Sequence, residues 1–541
     1  MSVSQICGKF FVFLLFLLAG GLLSAFLQYE LIWDFYNYHY YAGFSFLNGR
    51  LGYDLSPAFQ MTYGNPLLDA VTYLTATIFD NHVFAYHFVS GLYFGALLYV
   101  LFLLNGLFFD LSSTKGKISV AVSMTLGVTG FATWFQIGSC TGEIPVSVLV
   151  LSGLYVLIRH CFVLKDVSGK HFLLAGFLLG SAAGLKLTAA LYCLSAGLCV
   201  PFCLKRRPRP FTRIGCFILG GIAGFLVFDG FWMYALYREY QNPIFPFFNA
   251  FFKSPWFPEI NTRDTIHTAG RGWIHFLLFP LMTIGHSADF PVAGLCSFTD
   301  FRFLFLFVLL IVFCFRLFKK KDGTSEQTKF LILFVLFSYL VWLTFFCIIR
   351  YTVPMENVAG ILFVSAFFSG KRTKRAIIAG TVCVVLLLGT PFFSDKWTVS
   401  GSSTVTDMPD AIETSDDVLV LLLTPTTSSA FVGIAKKYPK ARAVGLFAPE
   451  LIYWGTNATL TEYGKFKEKT DKILAEHRGD VIAIYVPRYL LGKKVRKIIE
   501  NEDCFGAFKF IEINGVKVKA ATNDLRICKI SKKTDQLLNA E

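Results

Sequence analysis

Long apolar runs set the first limit on this chain. Runs of spanning length occur near residues 10–29, 83–109, 118–137, 144–163, 172–187, 188–204, 214–235, 303–318, 330–349, 352–369 and 376–393. A stretch of about 20 apolar residues carries a helix across a bilayer. The pattern therefore predicts an α-helical polytopic membrane protein with about 11 transmembrane helices, in which 172–204 is either two spans or one kinked pair. Composition agrees: 55% of residues are apolar, 16% are charged and mean hydropathy is +0.56, more apolar surface than a soluble chain could hide. The first run begins after Lys9 and no small-residue cleavage pattern follows it, so it reads as a retained helix rather than a removed signal.

The formal charge of +14 does not point to nucleic acid, because the basic residues fall in short clusters between apolar runs. Lys115 and Lys117 follow the second run; Arg159, Lys165 and Lys170 follow the fourth. Lys205 to Arg213 follow the sixth, Lys319 to Lys321 the eighth, and Lys371 to Arg375 the tenth. Every cluster lies after an even-numbered run, which places all of them on the cytoplasmic side with the N-terminus. Three long segments, 30–82, 238–302 and 394–541, then share the opposite face. Residues 1–393 form the membrane part. Residues 394–541 alternate strand-like runs (418–423, 481–486) with a helix-like one (462–477), as a small extracytoplasmic α/β domain would. None of the thirteen cysteines has CxxC or zinc-ligand spacing. Cys504 and Cys528, in the C-terminal domain, are available for pairing on an oxidising face.

Polar chemistry concentrates in the first long loop. Asp34 opens it, within a few residues of the first helix, and Tyr36, Asn37, His39, Tyr40 and Tyr41 follow. Then come Asn48 to Asp54 (NGRLGYD) and Tyr63 to Asp69 (YGNPLLD). An interfacial aromatic belt explains the rings but has no use for His39, Asp54, Asn65 or Asp69. Elsewhere, Arg350 lies in CIIRYTVP at the outer end of the ninth run, beside Tyr351. Lys186 lies at the turn between the fifth and sixth runs, and Glu143 in a short outer loop. Either cation suits a lipid phosphate at headgroup depth or a snorkelling role. Asp264, Arg271 and His275 occupy the middle loop with no motif, and Asn457 begins an isolated N-x-T sequon.

An acid at the start of the first outer loop, an aromatic-rich juxtamembrane helix and a Gly-Tyr-Asp … Asn-Pro-Leu segment resemble the GT-C superfamily. Its members are integral-membrane glycosyltransferases that use polyprenyl-phosphate sugars. The resemblance extends to Asn242–Asn249 and to Ile348–Asn357. It implies a polyprenyl-phosphate sugar donor and a glycan, lipid or protein acceptor at the outer face of a bacterial inner membrane, with no nucleic acid involved. It also makes Asp34 the general base. His39, Tyr40, Asn65, Glu143, Lys186, Arg350 and Tyr351 are then substrate-binding candidates, and Asp54, Asp69 and Glu143 the fallback acids. Many relatives carry an adjacent acidic pair, whereas Trp33 and Phe35 flank Asp34, so a shared divalent-metal site stays open.

Two other classes fit parts of the pattern. A transporter or flippase of lipid-linked sugars would line a midplane path with polar groups. The intramembrane charges read from the pattern are few, Lys186, Asp229 and Glu143 at its margin, and no inverted repeat is evident. An O-antigen polymerase or ligase would put its weight on one late basic loop rather than the first. Parity of the basic clusters makes a topological prediction. In intact cells a cysteine placed beside Lys320 is protected from an impermeant thiol reagent and one beside Gly401 is labelled; the reverse pattern overturns the topology.

Overall fold

The computed structural model describes residues 3–28, 34–205, 207–261, 280–281, 299–318, 324–368, 374–390, 414–424, 427–446, 463–487, 498–499, 502, 504–508, 512–513, 516–517 and 525–531. Asp264, Arg271, His275, Asn457 and the basic residues at 319–321 and 371–372 lie outside these. The chain forms two compact units. One contains residues 1–29, 88–229 and 266–398; the other contains 30–87, 230–265 and 399–541.

The helices are α1 (Val3–Leu27), α2 (Tyr40–Leu47), α3 (Leu67–Ile78), α4 (Val83–Asn105), α5 (Thr114–Val128), α6 (Glu143–Ile158) and α7 (Gly169–Leu185). They continue with α8 (Ala190–Cys203), α9 (Pro210–Tyr240), α10 (Arg302–Phe318), α11 (Glu326–Phe345), α12 (Val353–Phe367) and α13 (Lys374–Leu388). A helix occupies each apolar run of the sequence. Among the described residues, 5 are long and apolar enough to cross a membrane: Cys7–Leu27, Val83–Asn105, Glu143–Val163, Pro210–Tyr240 and Glu326–Phe345. The protein is a multi-pass integral membrane protein. The 172–204 stretch is a pair of helices, broken at Lys186 and a 3₁₀ turn, Leu187–Ala189.

Small residues let helices of the first unit approach to backbone contact. A Cβ on Gly220 would lie 2.1 Å from the Leu173 carbonyl oxygen, and one on Gly180 2.0 Å from that of Gly221. No side chain fits along that α7–α9 seam, which is how helices associate where burial from water gives no drive.

The run at 118–137 departs from expectation. Its helix stops at Val128, and the chain continues through a single turn, Phe131–Trp134, and irregular backbone to Gly142. A broken helix in apolar surroundings leaves peptide groups that must find partners inside the protein. Side chains supply them. The carbonyl of Leu126 accepts from Arg302 Nε (3.0 Å) and that of Gly127 from Asn357 Nδ2 (2.9 Å). The Phe131 amide donates to Asp300 (3.0 Å), and those of Ala132 and Thr133 to Glu356 (3.0 and 2.9 Å). Arg302 also reaches Asp300, Thr129 and Thr390 at 2.9, 2.7 and 3.0 Å. Asp300, Arg302 and Glu356 are all buried. They lie beyond the three intramembrane charges read from sequence.

In the second unit, β1 (Val418–Leu422), β2 (Arg442–Gly445), β3 (Asp480–Tyr485), β4 (Cys504–Phe508) and β5 (Leu525–Lys529) form one sheet in the order β2-β1-β3-β5-β4. The first three strands are parallel; β5 runs antiparallel to β3 and β4. Helix α14 (Ser428–Lys437) connects β1 to β2, and α15 (Gly464–Glu476) precedes β3. All five residues of β1 are buried, as a central parallel strand requires. Cys504 and Cys528 face each other across β4 and β5 and form a disulfide.

The first loop belongs to this unit. The Leu55 amide donates to the Ala443 carbonyl and the Gly445 amide to that of Leu55, both at 2.9 Å, so Leu55 extends the sheet beyond β2. Gly445 permits the approach, since a Cβ there would sit 2.1 Å from the Ser56 carbonyl oxygen.

The broken helix yields a prediction. Glu356→Ala strips the acceptor from two buried amides and the Thr133 hydroxyl and leaves Arg302 with one fewer carboxylate nearby. It lowers stability by about 3–5 kcal/mol, as loss of one partner from a buried charged network does. Thermal unfolding of the detergent-purified protein measures it; a wild-type midpoint removes Glu356 from the fold's support.

Candidate active site

Four sequence candidates meet in the first unit. Lys186 stands at the end of α7, where the backbone turns extended before the 3₁₀ turn. Arg350 and Tyr351 occupy a second 3₁₀ turn, Ile349–Thr352, between α11 and α12. Glu143 opens α6, directly after the broken stretch. The Lys186 ammonium donates to Glu143 Oε1 and to the Thr141 carbonyl (2.6 Å), and Arg350 Nε lies 3.6 Å from the same Glu143 oxygen. Glu143 is 5% exposed, while Lys186 and Arg350 keep 22% and 28%. One buried carboxylate thus holds two cations that both reach an open cleft. The Tyr351 ring lies beneath them, 5.3 Å from Lys186 Nζ and 5.4 Å from the Arg350 guanidinium. Val146, Ala189, Val353 and Pro354 supply apolar wall.

The group carries a formal charge of +1. Glu143 Oε2 is buried and finds no hydrogen-bond donor among the described residues. The arrangement suits an anion with an apolar tail: two partly exposed cations for the charge, aromatic and aliphatic surface beside them.

The other candidates lie in the second unit. Asp34, buried, stands at the start of a π-helical turn, Phe35–His39, that runs directly into α2. Such turns are rare and concentrate at functional positions. The turn ends at His39, whose Nδ1 is 2.6 Å from Asp69 Oδ1 and whose Nε2 is buried without a hydrogen-bond partner among the described residues. A carboxylate on one ring nitrogen orients the imidazole and fixes its tautomer. Tyr40 is buried against Tyr73 and Phe35, its hydroxyl 3.2 Å from Lys436 Nζ. Asn65 accepts from the Leu67 amide (3.0 Å) and so shapes the entry to α3.

Asp54 is occupied as a structural bolt. Its carboxylate accepts from Arg50 Nε (2.6 Å) and Nη2 (2.8 Å), the Tyr41 hydroxyl (2.8 Å) and the Ala443 amide (2.9 Å). Burial, and after it the charge of Asp54, holds the Tyr41 phenol well above its ordinary pKa, so it remains a donor. With every lone pair engaged, Asp54 is poorly placed to accept a substrate proton.

The residues that sequence reasoning missed are Asp300, Arg302 and Glu356. The signal was present: an acid and an amide, Glu356 and Asn357, interrupt an apolar run, a costly placement that needs a partner.

No protein family and no curated protein matches the sequence. The fold has a solved counterpart. The crystal structure of ArnT from Cupriavidus metallidurans, bound to undecaprenyl phosphate, matches with a TM-score of 0.50 at 12% identity, covering 98% of each chain. The chain shares the fold of that structure. At that identity the likeness is one of architecture, and it spans both units of the chain, the membrane helices and the C-terminal sheet alike.

The two first-loop acids separate by experiment. Asp54→Asn breaks the buried pair with Arg50 and lowers stability by about 3–5 kcal/mol, read as a thermal-shift loss and faster limited proteolysis. Asp34→Asn leaves both near wild type. Equal stability losses in the two variants would make Asp34 a second structural bolt.

Proposed function

We propose that this protein is a membrane glycosyltransferase that moves a sugar from a polyprenyl-phosphate donor to a glycan, lipid or protein acceptor on the extracytoplasmic face. The observation that carries the reading is the Lys186–Arg350 pair gathered by Glu143 in a cleft with apolar walls, on a fold like that of a protein crystallised with undecaprenyl phosphate. On this reading residues 1–393 cross the membrane about 11 times, as the apolar runs suggest, with 394–541 outside. In a bacterial host the membrane is the inner one.

The chemistry assigns distinct roles. As the sugar leaves, the lipid phosphate gains a negative charge. Lys186 and Arg350 bind that phosphate more tightly after departure than before, which lowers the barrier rather than merely tightening the ground state. Tyr351 packs beside the phosphate. Asp34 takes the acceptor hydroxyl proton as the hydroxyl oxygen attacks the anomeric carbon. His39, oriented by Asp69, and the neighbouring Tyr40 and Asn65 contribute to the acceptor side.

A metal shared with relatives does not suit the first loop. Asp34 is flanked in the sequence by Trp33 and Phe35 rather than by a second acid, Asp54 is committed to Arg50, and Asp69 to His39. Among the described residues, the group of three His, Asp or Glu side chains close enough to hold an ion lies elsewhere. No step here passes through a metal.

Purified protein incubated with labelled polyprenyl-phosphate sugars tests the reading: a transferase releases or moves sugar, and a transporter or scaffold leaves the donor intact. Asp34→Asn reduces turnover by about 10²–10⁴-fold while donor binding survives. Arg350→Ala does the reverse first, weakening donor affinity by about 10–100-fold, the value of a charged hydrogen bond. Turnover and lipid-donor affinity are measured separately on variants expressed to equal levels. Near-normal turnover in Asp34→Asn would move the base elsewhere.

A further inference from the structure

Away from the cleft, the loop between α6 and α7 draws together His160, Asp166 and His171. We propose that these three side chains form a binding site for a single first-row divalent transition ion of the Zn²⁺ class.

The geometry is built by the local chain. A π-helical turn, Arg159–Val163, follows α6 and carries His160. Lys165 adopts a left-handed backbone, φ 56°, so the loop doubles back and brings Asp166 toward both rings. The Arg213 side chain pins the loop by donating to the Val167 carbonyl at 2.5 Å. His171 Nε2 lies 2.9 Å from Asp166 Oδ2 and His160 Nδ1 lies 4.0 Å from the same oxygen. The three ligand atoms all fall within 4.8 Å of one another. With metal–ligand bonds of about 2.0–2.1 Å, a tetrahedral ion asks for ligand separations of about 3.3 Å. A ligating nitrogen's lone pair lies in its ring plane, so both rings must turn out of their stack for the two nitrogens to converge on one ion.

Two features favour a metal over a plain His–Asp ion pair. The imidazoles stack at 3.4 Å with 17° between their planes, so protonating both would set two cations face to face. His160 Nδ1 also finds no hydrogen-bond partner among the described residues. An ion pair between His171 and Asp166 leaves that nitrogen unused, whereas a metal engages all three.

The donor set selects the ion. Arg159, Lys165 and Lys170 surround the loop, and a single carboxylate cannot hold Mg²⁺ or Ca²⁺ by charge against them. Binding must come from imidazole ligation, which favours Zn²⁺, Co²⁺ and their neighbours. With three protein ligands, a fourth position stays open to water or another donor.

The test uses full-length protein in detergent, stripped with chelator and titrated with Co²⁺, whose visible d–d bands report ligand geometry without any assay of activity. The expected result is one ion per chain, a tetrahedral spectrum and displacement by Zn²⁺, with metal content checked by mass spectrometry. His160→Asn and His171→Asn each weaken Co²⁺ binding by at least the roughly 10–100-fold that loss of a supporting partner alone costs. Wild-type protein that binds no stoichiometric Co²⁺ overturns the site, and so does binding that both variants retain at wild-type affinity. The first result needs no variant, so a substitution that fails to fold does not rescue the proposal.

Discussion

The first unit depends on how it satisfies the peptide groups exposed where α5 breaks. Helix α5 ends at Val128, inside its apolar run, and the chain then crosses irregular ground to α6. Arg302 and Asn357 take up the carbonyls before the break; Asp300 and Glu356 take up the amides after it. The four side chains come from α12 and the start of α10, so one polar cluster binds three parts of the chain at once. The cleft follows from this. Thr141 and Glu143 lie at the far end of the broken stretch, and Arg350 lies just before the helix that carries Glu356. Fixing the break fixes the carboxylate and one of the two cations around it, and the end of α7 brings the other.

The first loop combines two tasks. Its aromatics looked like an interfacial belt with extra polar residues. In the second unit Tyr41 packs against Phe431 of α14, and Tyr63 joins Tyr240, Phe245 and Phe466 in an aromatic cluster. Arg50, stacked near Phe44, Tyr53 and Phe431, donates to carbonyls at Pro439 and Ala441. Asn242 and Asn249, within a segment that carried the family resemblance, are buried and bond backbone groups of their own loop. Motif residues can mark a fold as readily as a reaction.

What was legible in the sequence followed from simple periodicity and cost. Apolar runs located the helices, because little else keeps such segments from water. The strands at 418–422 and 480–485 and the helix at 464–476 were visible in their alternation. Lys186, Glu143 and Arg350 each stood out as charges at the ends of apolar helices, but their convergence depends on three separate turns and could not be read. The helix break at Val128 was hidden because its run stays apolar; its cause lies some 170 to 230 residues away, in Asp300 and Glu356. Asp54 looked like a spare acid because its partners, Arg50 apart, come from fold rather than spacing.

The hydrogen bonds that Leu55 donates to Ala443 and accepts from Gly445 join segments about 390 positions apart in the chain. A strand that completes itself with so early a residue sets an order of assembly. During synthesis the first loop emerges long before its partner strand exists, and the Leu55 backbone must wait until the last quarter of the polypeptide arrives. The loop cannot reach its final form in a nascent chain. A product terminated before Ala443 would carry a first loop whose Leu55 backbone has no strand to join.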